Sequence, residues 1–504
     1  MSGKGSQAKS QAKSEAKSEA RVPVKRRLRP RTEGFLESIR EFFTPSIWKE
    51  AERFRNLGRS RRSPRWKTQP LLLTLLMMTW CCGDSQAERF EMAKGFTAVC
   101  LSGRRGPGKT AQGFQKALAK VPMRVLEALA AGVRRRLLAL LDLAEDGFIA
   151  FGCDGSSMEC PRVAELEKRL DPALKKSEGT PQVWVTALVH LRTGLLWSWR
   201  LGKGYSRERA HLLSLVGTLP KLALVVADPG FNGYGLAQAL TTAGVSYLIR
   251  MSAKDCLYVT AETPLENYQE GEVLLWPAEA RRLKQPPLPA RLLRVRSKTR
   301  KNDVWLLTNV LEPKRMTLAM ASRYYRWRWE NEGLFRTFKR TLSKVKLTSR
   351  TVRLVHREAA GALLATQLLL AQGTRGLLAE SGRRSKRPAP NSAPNSAPNT
   401  PPNARPDSRR QKHNETQPQR PKRCSARKVL LAMRDVILGR IGLHDKTFGK
   451  RLADALREDR LRTSPKVSRD FPRRVAHKPP SPPRLRVLET KDKLLTELWL
   501  GTST

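Results

Sequence analysis

The apolar pattern of the chain changes abruptly at Gly147, and this change limits the folds that are open to it. From Phe35 to about Ala144, apolar residues recur at helical spacing, as in the run MRVLEALAAGVRRRLLALLDLA. After Gly147 come three runs rich in β-branched and aromatic residues, namely FIAFGCDG, VWVTALVHL and LLWSWRLG. A helical segment, RERAHLLSLVGTL, and a buried strand, LALVVAD, follow them. The pattern therefore predicts a helical N-terminal region followed by an α/β region.

The later part of the chain extends this α/β pattern. A short helix, GYGLAQALTTAG, and a strand, SYLIRM, complete an order of three strands, a helix and further strands, which is the ribonuclease-H-like order. Four more strand candidates between Ser252 and about Glu312 predict a β insertion. The helical pattern returns from Met316 through Lys339, and a second helix is predicted from about Val352 to Gln372. The predicted fold class is α/β, with a ribonuclease-H-like (retroviral-integrase-like) core, a β-rich insertion, an N-terminal helical domain and disordered basic tails.

Three segments have too few apolar residues to bury a core. Residues 6–20 repeat a four-residue unit and run into a basic cluster, and the unit APNS recurs between residues 389 and 400. The predicted organisation is a disordered basic arm at 1–34, an N-terminal helical DNA-binding domain at 35–146, a core at 147–375 with its insertion at about 252–312, a disordered Pro/Asn/Arg linker at 376–424, a C-terminal helical segment at 425–463 and a basic tail at 464–504.

The charge of the chain favours a polyanionic partner. Its 504 residues hold 96 Lys and Arg against 45 Asp and Glu, a formal net charge of +51. Nucleic acid would neutralise this excess, and a solvated charge excess without a partner is the alternative. A membrane span needs about 20 apolar residues, whereas the run Leu71–Cys82 is roughly half as long and contains two threonines. No secretory signal is visible, so we expect a cytoplasmic, nucleoid-associated protein without a membrane contact.

Two aspartates are predicted to stand at the ends of apolar strands. Asp154 lies in FGCDGSS, where Gly155 permits a turn, and Asp228 ends LALVVAD before Pro229. Side chains at strand ends of an open α/β sheet converge on ligands. The alternative for each aspartate taken singly is a turn or helix cap.

A more specific pattern lies in the segment YRWRWENEGLFRTFK. Tyr325, Arg328, Glu332 and Lys339 follow the spacing Y-x2-R-x3-E-x6-K, which puts them within about 60° of one face of a regular α-helix. The carboxylate can complete a metal site, while the phenol and the two cations can bind phosphate oxygens. A solvated helix face with ordinary ion pairs is the alternative.

These features together resemble the DDE transposases of insertion-sequence family four. The resemblance rests on the Tyr-Arg-Glu-Lys helix, on Asp154 and Asp228, and on the β insertion that precedes Glu332. It covers roughly residues 147–372, and the helix signature is its specific part. The resemblance implies a transposase that cuts and joins DNA strands at transposon ends.

The resemblance also implies the roles of individual residues. Asp154, Asp228 and Glu332 would be catalytic and would hold two Mg2+ ions, with Mn2+ as a substitute, for an in-line displacement at phosphorus. Tyr325, Arg328 and Lys339 would be DNA-binding residues at transposon-end phosphates. The partners would be double-stranded DNA, as terminal inverted repeats and target, and a second copy of the chain in a homodimeric synaptic complex. In relatives the insertion helps to hold the DNA end, so Trp276 and Trp305 are candidates for base stacking, with core packing as the alternative.

A competing motif lies at Gly103–Thr110. Its sequence, GRRGPGKT, fits the phosphate-loop pattern G-x4-G-K-[ST], but such a loop follows a buried strand, and FTAVCLS is a mediocre strand candidate. We favour a basic loop that caps the next helix. Two alternative functions stay open at this point: a P-loop ATPase that assists DNA transactions and depends on Lys109, and an inactive, domesticated DNA-binding relative of transposases.

Overall fold

The computed structural model describes most of the chain between Gly34 and Trp499. Residues 1–33 of the predicted basic arm and residues 385–422 of the predicted linker lie outside this part. The described residues are 34–55, 65–101, 107–170, 179–204, 208–261, 268–296, 303–328, 331–344, 346–384, 423–457, 482–490, 492, 496 and 499.

Six helices form the region before Gly147. Thr44 and Thr110 each cap a helix, because their side-chain oxygens accept a backbone N–H from the first turn. The third helix takes up most of the apolar run that begins at Leu71 and is buried on nearly all sides. No helix in the described part of the chain is long and apolar enough to cross a membrane. The helices are α1 (Phe35–Phe42), α2 (Pro45–Arg53), α3 (Thr68–Trp80), α4 (Gln86–Leu101), α5 (Ala111–Ala119) and α6 (Met123–Leu140).

A ten-stranded sheet forms the centre of the α/β region. Its strands are β1 (Ile149–Glu159), β2 (Gln182–His190), β3 (Leu196–Lys203), β4 (Ala223–Ala227), β5 (Ser246–Arg250), β6 (Cys256–Val259), β7 (Glu270–Leu275), β8 (Leu288–Val295), β9 (Val304–Thr308) and β10 (Arg484–Val487). The strand order is β10-β6-β7-β8-β9-β5-β4-β1-β2-β3. Strand β2 is antiparallel to both β1 and β3, whereas β4 is parallel to both β1 and β5. The prediction of a mixed α/β fold is confirmed.

Helices cover this sheet and join it to the N-terminal region. All five residues of β4 are buried, as expected for a central strand with parallel neighbours on both sides. The long helix α13 (Val352–Arg384) contacts α3, α6 and β3, so it connects the N-terminal helices to the edge of the sheet. The helices after β1 are α7 (Ala164–Arg169), α8 (Glu208–Leu215), α9 (Tyr234–Thr242), α10 (Ala278–Arg282), α11 (Leu318–Trp327), α12 (Asn331–Arg336), α13 (Val352–Arg384), α14 (Ala426–Ile437) and α15 (Thr447–Arg457).

The region predicted as a β insertion extends the central sheet. Strand β9 pairs with β5, and β8, β7 and β6 follow outward in antiparallel order. One short helix, α10, interrupts this run of strands. The insertion and the core therefore share one continuous set of backbone hydrogen bonds.

Two predicted boundaries differ from the structure. Helix α13 runs to Arg384, past the predicted start of the linker at residue 376, and the first proline after it is Pro388. In the predicted structureless tail, β10 pairs in parallel with β6. This pairing satisfies backbone groups that the edge strand β6 would otherwise expose. Asp492, just after β10, forms a 2.9 Å ion pair with Arg281 of α10.

Candidate active site around Asp154 and Asp228

Asp228 directly follows β4, and two residues of the predicted signature hold its carboxylate. The Arg328 guanidinium donates from Nη1 to Oδ2 of Asp228 at 2.6 Å, and the Tyr325 hydroxyl donates to Oδ1 at 3.4 Å. The guanidinium also lies over the Tyr325 ring, 5.3 Å from its centroid. Only 6% of the Arg328 side chain is exposed, against 39% for Asp228. Arg328 and Tyr325 therefore fix the orientation of a carboxylate that still reaches solvent.

Asp154 lies within β1, so the prediction that it ends its strand is wrong. Strand β1 continues to Glu159 because its backbone stays paired with β2, with Asp154 opposite Ala187. The pairing of β1 with β4, however, ends at Gly152 opposite Val226. Continuing that parallel register by two residues brings Asp154 beside Asp228. The two aspartates thus stand together at the point where β4 has ended and β1 has not.

Gly155 allows a third carboxylate to approach this point. Its backbone N–H donates to Oδ1 of Asp154 at 2.8 Å. A Cβ atom added to Gly155 would lie 2.9 Å from Cδ of Glu208 and 2.7 Å from Nε1 of Trp184. Both distances are shorter than an ordinary contact of about 3.5–4.0 Å. The absence of a side chain at Gly155 is therefore what lets Glu208 and Trp184 sit against β1.

Glu208 is a candidate site residue that the sequence did not reveal. It is half-buried in the first turn of α8. Burial raises the pKa of its carboxyl, and the charges of Asp154 and Asp228 raise it further. The segment RERAHLLSLVGTL indicates only a helix, and an acid in a first helical turn is common. The signal that could have pointed to Glu208 is its place after the third strand of the core, on the connection to β4.

Helix α8 is tied to the loop that carries Asp228. The Arg209 guanidinium donates from Nε to the carbonyl oxygen of Gly230 at 3.3 Å, and Leu212 and Leu215 anchor the other side of the helix in the core. Gly230 belongs to a single 3-10 turn, Pro229–Phe231, that begins directly after Asp228. This contact keeps Glu208 and Asp228 at the same end of the sheet.

The predicted helix from Met316 through Lys339 is not one regular α-helix. It consists of α11, α12 and a π-helical turn, Thr337–Thr341. Glu332 lies in α12, and its side chain is outside the described part of the structure. Lys339 lies in the π-helical turn, where burial lowers the pKa of its ammonium group and the charge of Glu159 opposes that shift. Glu159 is five residues along β1 from Asp154, or about 16 Å, so Lys339 is not beside the two aspartates.

The chemistry of the side chains at this point suits a hard divalent cation. Carboxylate oxygens are the ligands that Mg2+ prefers, and each oxygen of Asp228 keeps a lone pair beyond the one it uses to accept a hydrogen bond. The buried indole Nε1 of Trp184, next to Gly155, has no hydrogen-bond acceptor among the described residues. Within the described part of the chain, no three acidic, histidine or cysteine residues form a ready-made metal cluster. The donor set fits the ion, with Glu332 as the member whose side chain is not described.

The competing phosphate-loop motif lacks the required structural context. The segment before Gly103 belongs to helix α4, not to a strand. Residues 102–106 lie outside the described part, but Thr110 caps α5 by accepting from the backbone N–H of Gly113 at 3.1 Å. A Cβ atom on Gly108 would overlap the indole of Trp66. Residues 107–110, the described end of the loop, are therefore part of the packing of the N-terminal helices.

The two tryptophans considered for base stacking are buried. Trp276 is 3% exposed and donates from its indole to the carbonyl oxygen of Gln285 at 2.8 Å. Trp305 is 5% exposed and packs against the ring of Tyr268. The structure therefore supports core packing for both tryptophans.

Comparisons with known proteins found a match to one family model. Residues 153–368 match the family model described as "Transposase DDE domain". Among solved structures, the chain is similar to one titled "Cryo-EM structure of piggyBac transposase synaptic complex with hairpin DNA (SNHP)", with 11% identity, 88% of each chain covered and a TM-score of 0.39. That TM-score does not establish a shared fold. A search of curated proteins found no match. The matched segment contains Asp154, Asp228 and Glu332, and the family match supports a DDE transposase.

Proposed function

We propose that the chain is a DNA transposase that cuts and joins strands at transposon ends, using Asp154, Asp228 and Glu332. The observation that carries this proposal is the position of Asp154 beside Asp228 on adjoining parallel strands, within the segment that matches the transposase DDE domain. Carboxylates at such a point can converge on one ligand. Helix α4, which occupies residues 86–101 where a phosphate loop would need a strand, disfavours the P-loop alternative.

We further propose that the core is ribonuclease-H-like and that the chain belongs to insertion-sequence family four. Strands β1 to β5 are ordered β3-β2-β1-β4-β5, with β2 antiparallel to its neighbours and β4 and β5 parallel to β1. This order supports the fold. Tyr325 and Arg328 of the Tyr-Arg-Glu-Lys signature both contact Asp228, which supports the affiliation.

In this proposal the carboxylates bind divalent cations and the neighbouring residues orient them. Two Mg2+ ions, when bound, would activate the attacking hydroxyl or water and stabilise the leaving oxygen. Asp154, Asp228 and Glu332 would supply the ligands, with Glu208 as an additional carboxylate on the side of α8. Arg328 and Tyr325 would hold the Asp228 carboxylate in one orientation.

DNA is the proposed partner because of the charge of the chain. A net charge of +51 supports binding through phosphate contacts, which are not sequence-specific. The N-terminal helices α1 to α6 would recognise terminal inverted repeats, and Lys339 would contact phosphates away from the aspartates. Cut-and-paste transposition joins two ends, so we propose a homodimer in the synaptic complex and a protein associated with the nucleoid.

The test is cleavage of DNA that carries the terminal sequences flanking the gene. The variants D154N, D228N and E332Q keep side-chain shape but remove a charge, and we expect each to abolish Mg2+-dependent cleavage while DNA binding stays near the wild-type level. The matched control is D142N, since Asp142 is an exposed aspartate just before β1. The variant K109A should cleave normally without ATP.

Three results would contradict the proposal. Cleavage by D154N and D228N at the wild-type rate would show that these carboxylates do not carry the reaction. Binding of terminal DNA by the wild-type chain with no cleavage in Mg2+ or Mn2+ would indicate an inactive, domesticated relative. A requirement for ATP and Lys109 would instead revive the P-loop alternative.

A further inference from the structure

A cavity of about 510 Å³ lies between the N-terminal helices and the edge of the sheet. Its walls come from helix α6, strand β3, the end of α8 and the first turns of α13. Ligand pockets in proteins range from about 300 to 1,000 Å³. The cavity is therefore large enough for a small ligand, and no residue of the proposed active site lines it.

The cavity is rich in cationic and N–H donor groups. Arg134 of α6 forms no hydrogen bond or ion pair with any residue in the described part of the chain, and burial lowers the pKa of its guanidinium to about 10. Arg200 of β3 is exposed at the rim, and Nε2 of His356 is buried without a hydrogen-bond partner among the described residues. Glu127 is the one carboxylate in the lining. An anionic group would accept hydrogen bonds from the guanidinium groups of Arg134 and Arg200.

The remaining lining suits a flat, apolar ring. Trp199 of β3 is half-buried and lines the cavity together with the apolar side chains of Leu126 and Leu201. An indole face at a pocket wall can stack on any nucleobase. A cavity lined by an indole and two arginines is therefore complementary to a base that carries a phosphate.

Helix α8 connects this cavity to the proposed active site. Glu208 stands at its start, near Asp154 and Asp228, whereas Leu215 at its end lines the cavity. Seven residues of α-helix span about 10 Å. Because DNA rises about 3.4 Å per nucleotide along one strand, this distance is about three nucleotide steps. A strand held at the carboxylates could reach the cavity with one of its nucleotides.

We propose that this cavity binds a single nucleotide unit, with its phosphate at Arg134 and Arg200 and its base against Trp199. The unit is either a nucleotide of the DNA strand at the active site or a free nucleotide. The first of these two sources rests on the proposed function. Both sources share the same chemistry, a nucleobase with a 5′-phosphate. Binding at this cavity adds a contact outside the carboxylate site and fixes the path of the strand.

The experiment compares Arg134, which lines the cavity, with Arg135, its neighbour on helix α6, which does not. The variant R134Q removes a cation from the cavity, while the matched control R135Q removes the adjacent one, which is exposed and ion-paired with Glu50. The variant R200Q removes an exposed cation at the rim, so its folding is not at risk even if R134Q fails to fold. The probes are a labelled single-stranded deoxyoligonucleotide, deoxyadenosine 5′-phosphate, deoxyribose 5-phosphate and inorganic phosphate, each titrated into the full chain.

We expect R134Q and R200Q to weaken deoxyadenosine 5′-phosphate binding by about tenfold, the loss expected for one charge-assisted hydrogen bond, and R135Q by less than about twofold. A parallel loss with the oligonucleotide identifies the DNA strand as the source; a loss with the mononucleotide alone identifies a free nucleotide. Equal effects of R135Q and R200Q overturn the proposal. So does equally tight binding of deoxyribose 5-phosphate or inorganic phosphate, because the base then contributes nothing.

The failure of this proposal is distinguishable from that of the proposed function. The variant D228N should lose DNA cleavage and keep mononucleotide binding, whereas R200Q should lose binding at the cavity. Normal cleavage by D228N would refute the transposase mechanism and leave the nucleotide site standing. Unchanged mononucleotide binding by R200Q and R134Q would refute the nucleotide site and leave the mechanism standing.

Discussion

The substitution G155A should displace Glu208 while leaving every carboxylate of the candidate site in place in the sequence. A Cβ atom at this position would lie 2.9 Å from Cδ of Glu208, whereas carbon atoms in contact are separated by about 3.5–4.0 Å. The carboxylate would therefore have to move by about 1 Å. Misplacement of a site residue by 1 Å can cost about 100-fold in rate, so we expect Mg2+-dependent cleavage to fall by about that factor.

The same substitution should also lower stability, because Trp184 Nε1 lies 2.7 Å from the added atom. Overpacking of this kind costs about 1–3 kcal/mol, which urea unfolding can measure. The double variant G155A/E208A removes one of the two clashes, so it should regain part of the lost stability but not the cleavage activity. Two results would show that Glu208 does not contact Gly155: cleavage by G155A at the wild-type rate, or equal stability of G155A and G155A/E208A.

Three further predictions concern charge at and near the sheet. Burial and the charges of Asp154 and Asp228 raise the pKa of Glu208, so its ionised form destabilises the fold as pH rises. At pH 7 without metal, the variant E208Q should therefore unfold at a higher urea concentration than the wild type. With Mg2+ present, the wild type should be the more stable of the two. The variant R328K keeps the charge at Asp228 but loses the planar fork, so cleavage should fall at least about tenfold with DNA affinity unchanged. Burial lowers the pKa of His190 from 6.5 to about 3, so stability should fall as pH drops below 6.5, by at most about 1.4 kcal/mol per pH unit, and H190Q should show a shallower loss.

The sequence predicted the parts of the fold that depend on local pattern. The helical period before Gly147 and the apolar strands after it correspond to α1 to α6 and to β1 to β5. The apolar run LALVVAD became β4, with Asp228 directly after it, because a strand buried on both faces is continuously apolar. These features depend on the residues of one segment and can be read without knowing its neighbours.

The features that the sequence did not reveal depend on distant partners. Gly155 predicts a turn from the sequence. Strand β1 nevertheless continues, because its pairing with β2 uses backbone hydrogen bonds, which a glycine can form as well as any other residue except proline. Glu208 became a neighbour of Asp154 only because α8 crosses β1 where Gly155 has no side chain. Lys339 lies in a π-helical turn, which departs from the regular spacing of about 100° per residue on which the common helix face was predicted.

The tail illustrates the same limit. Residues 484–487 form β10 because β6 offers an unpaired edge far away in sequence. The segment itself, rich in arginine and proline, carries no strand signal strong enough to predict this pairing.

We propose that Asp154, Asp228 and Glu332 hold divalent cations, and cleavage of the protein backbone by a bound ion is the sharpest test of this proposal. Fe2+ in place of Mg2+, with ascorbate and peroxide, produces hydroxyl radicals that cut the chain next to the metal. We expect cuts close to residues 154, 208, 228 and 332, which excess Mg2+ suppresses and which the double variant D154N/D228N lacks. Cuts confined to other parts of the chain, or cuts that survive in D154N/D228N, would contradict it.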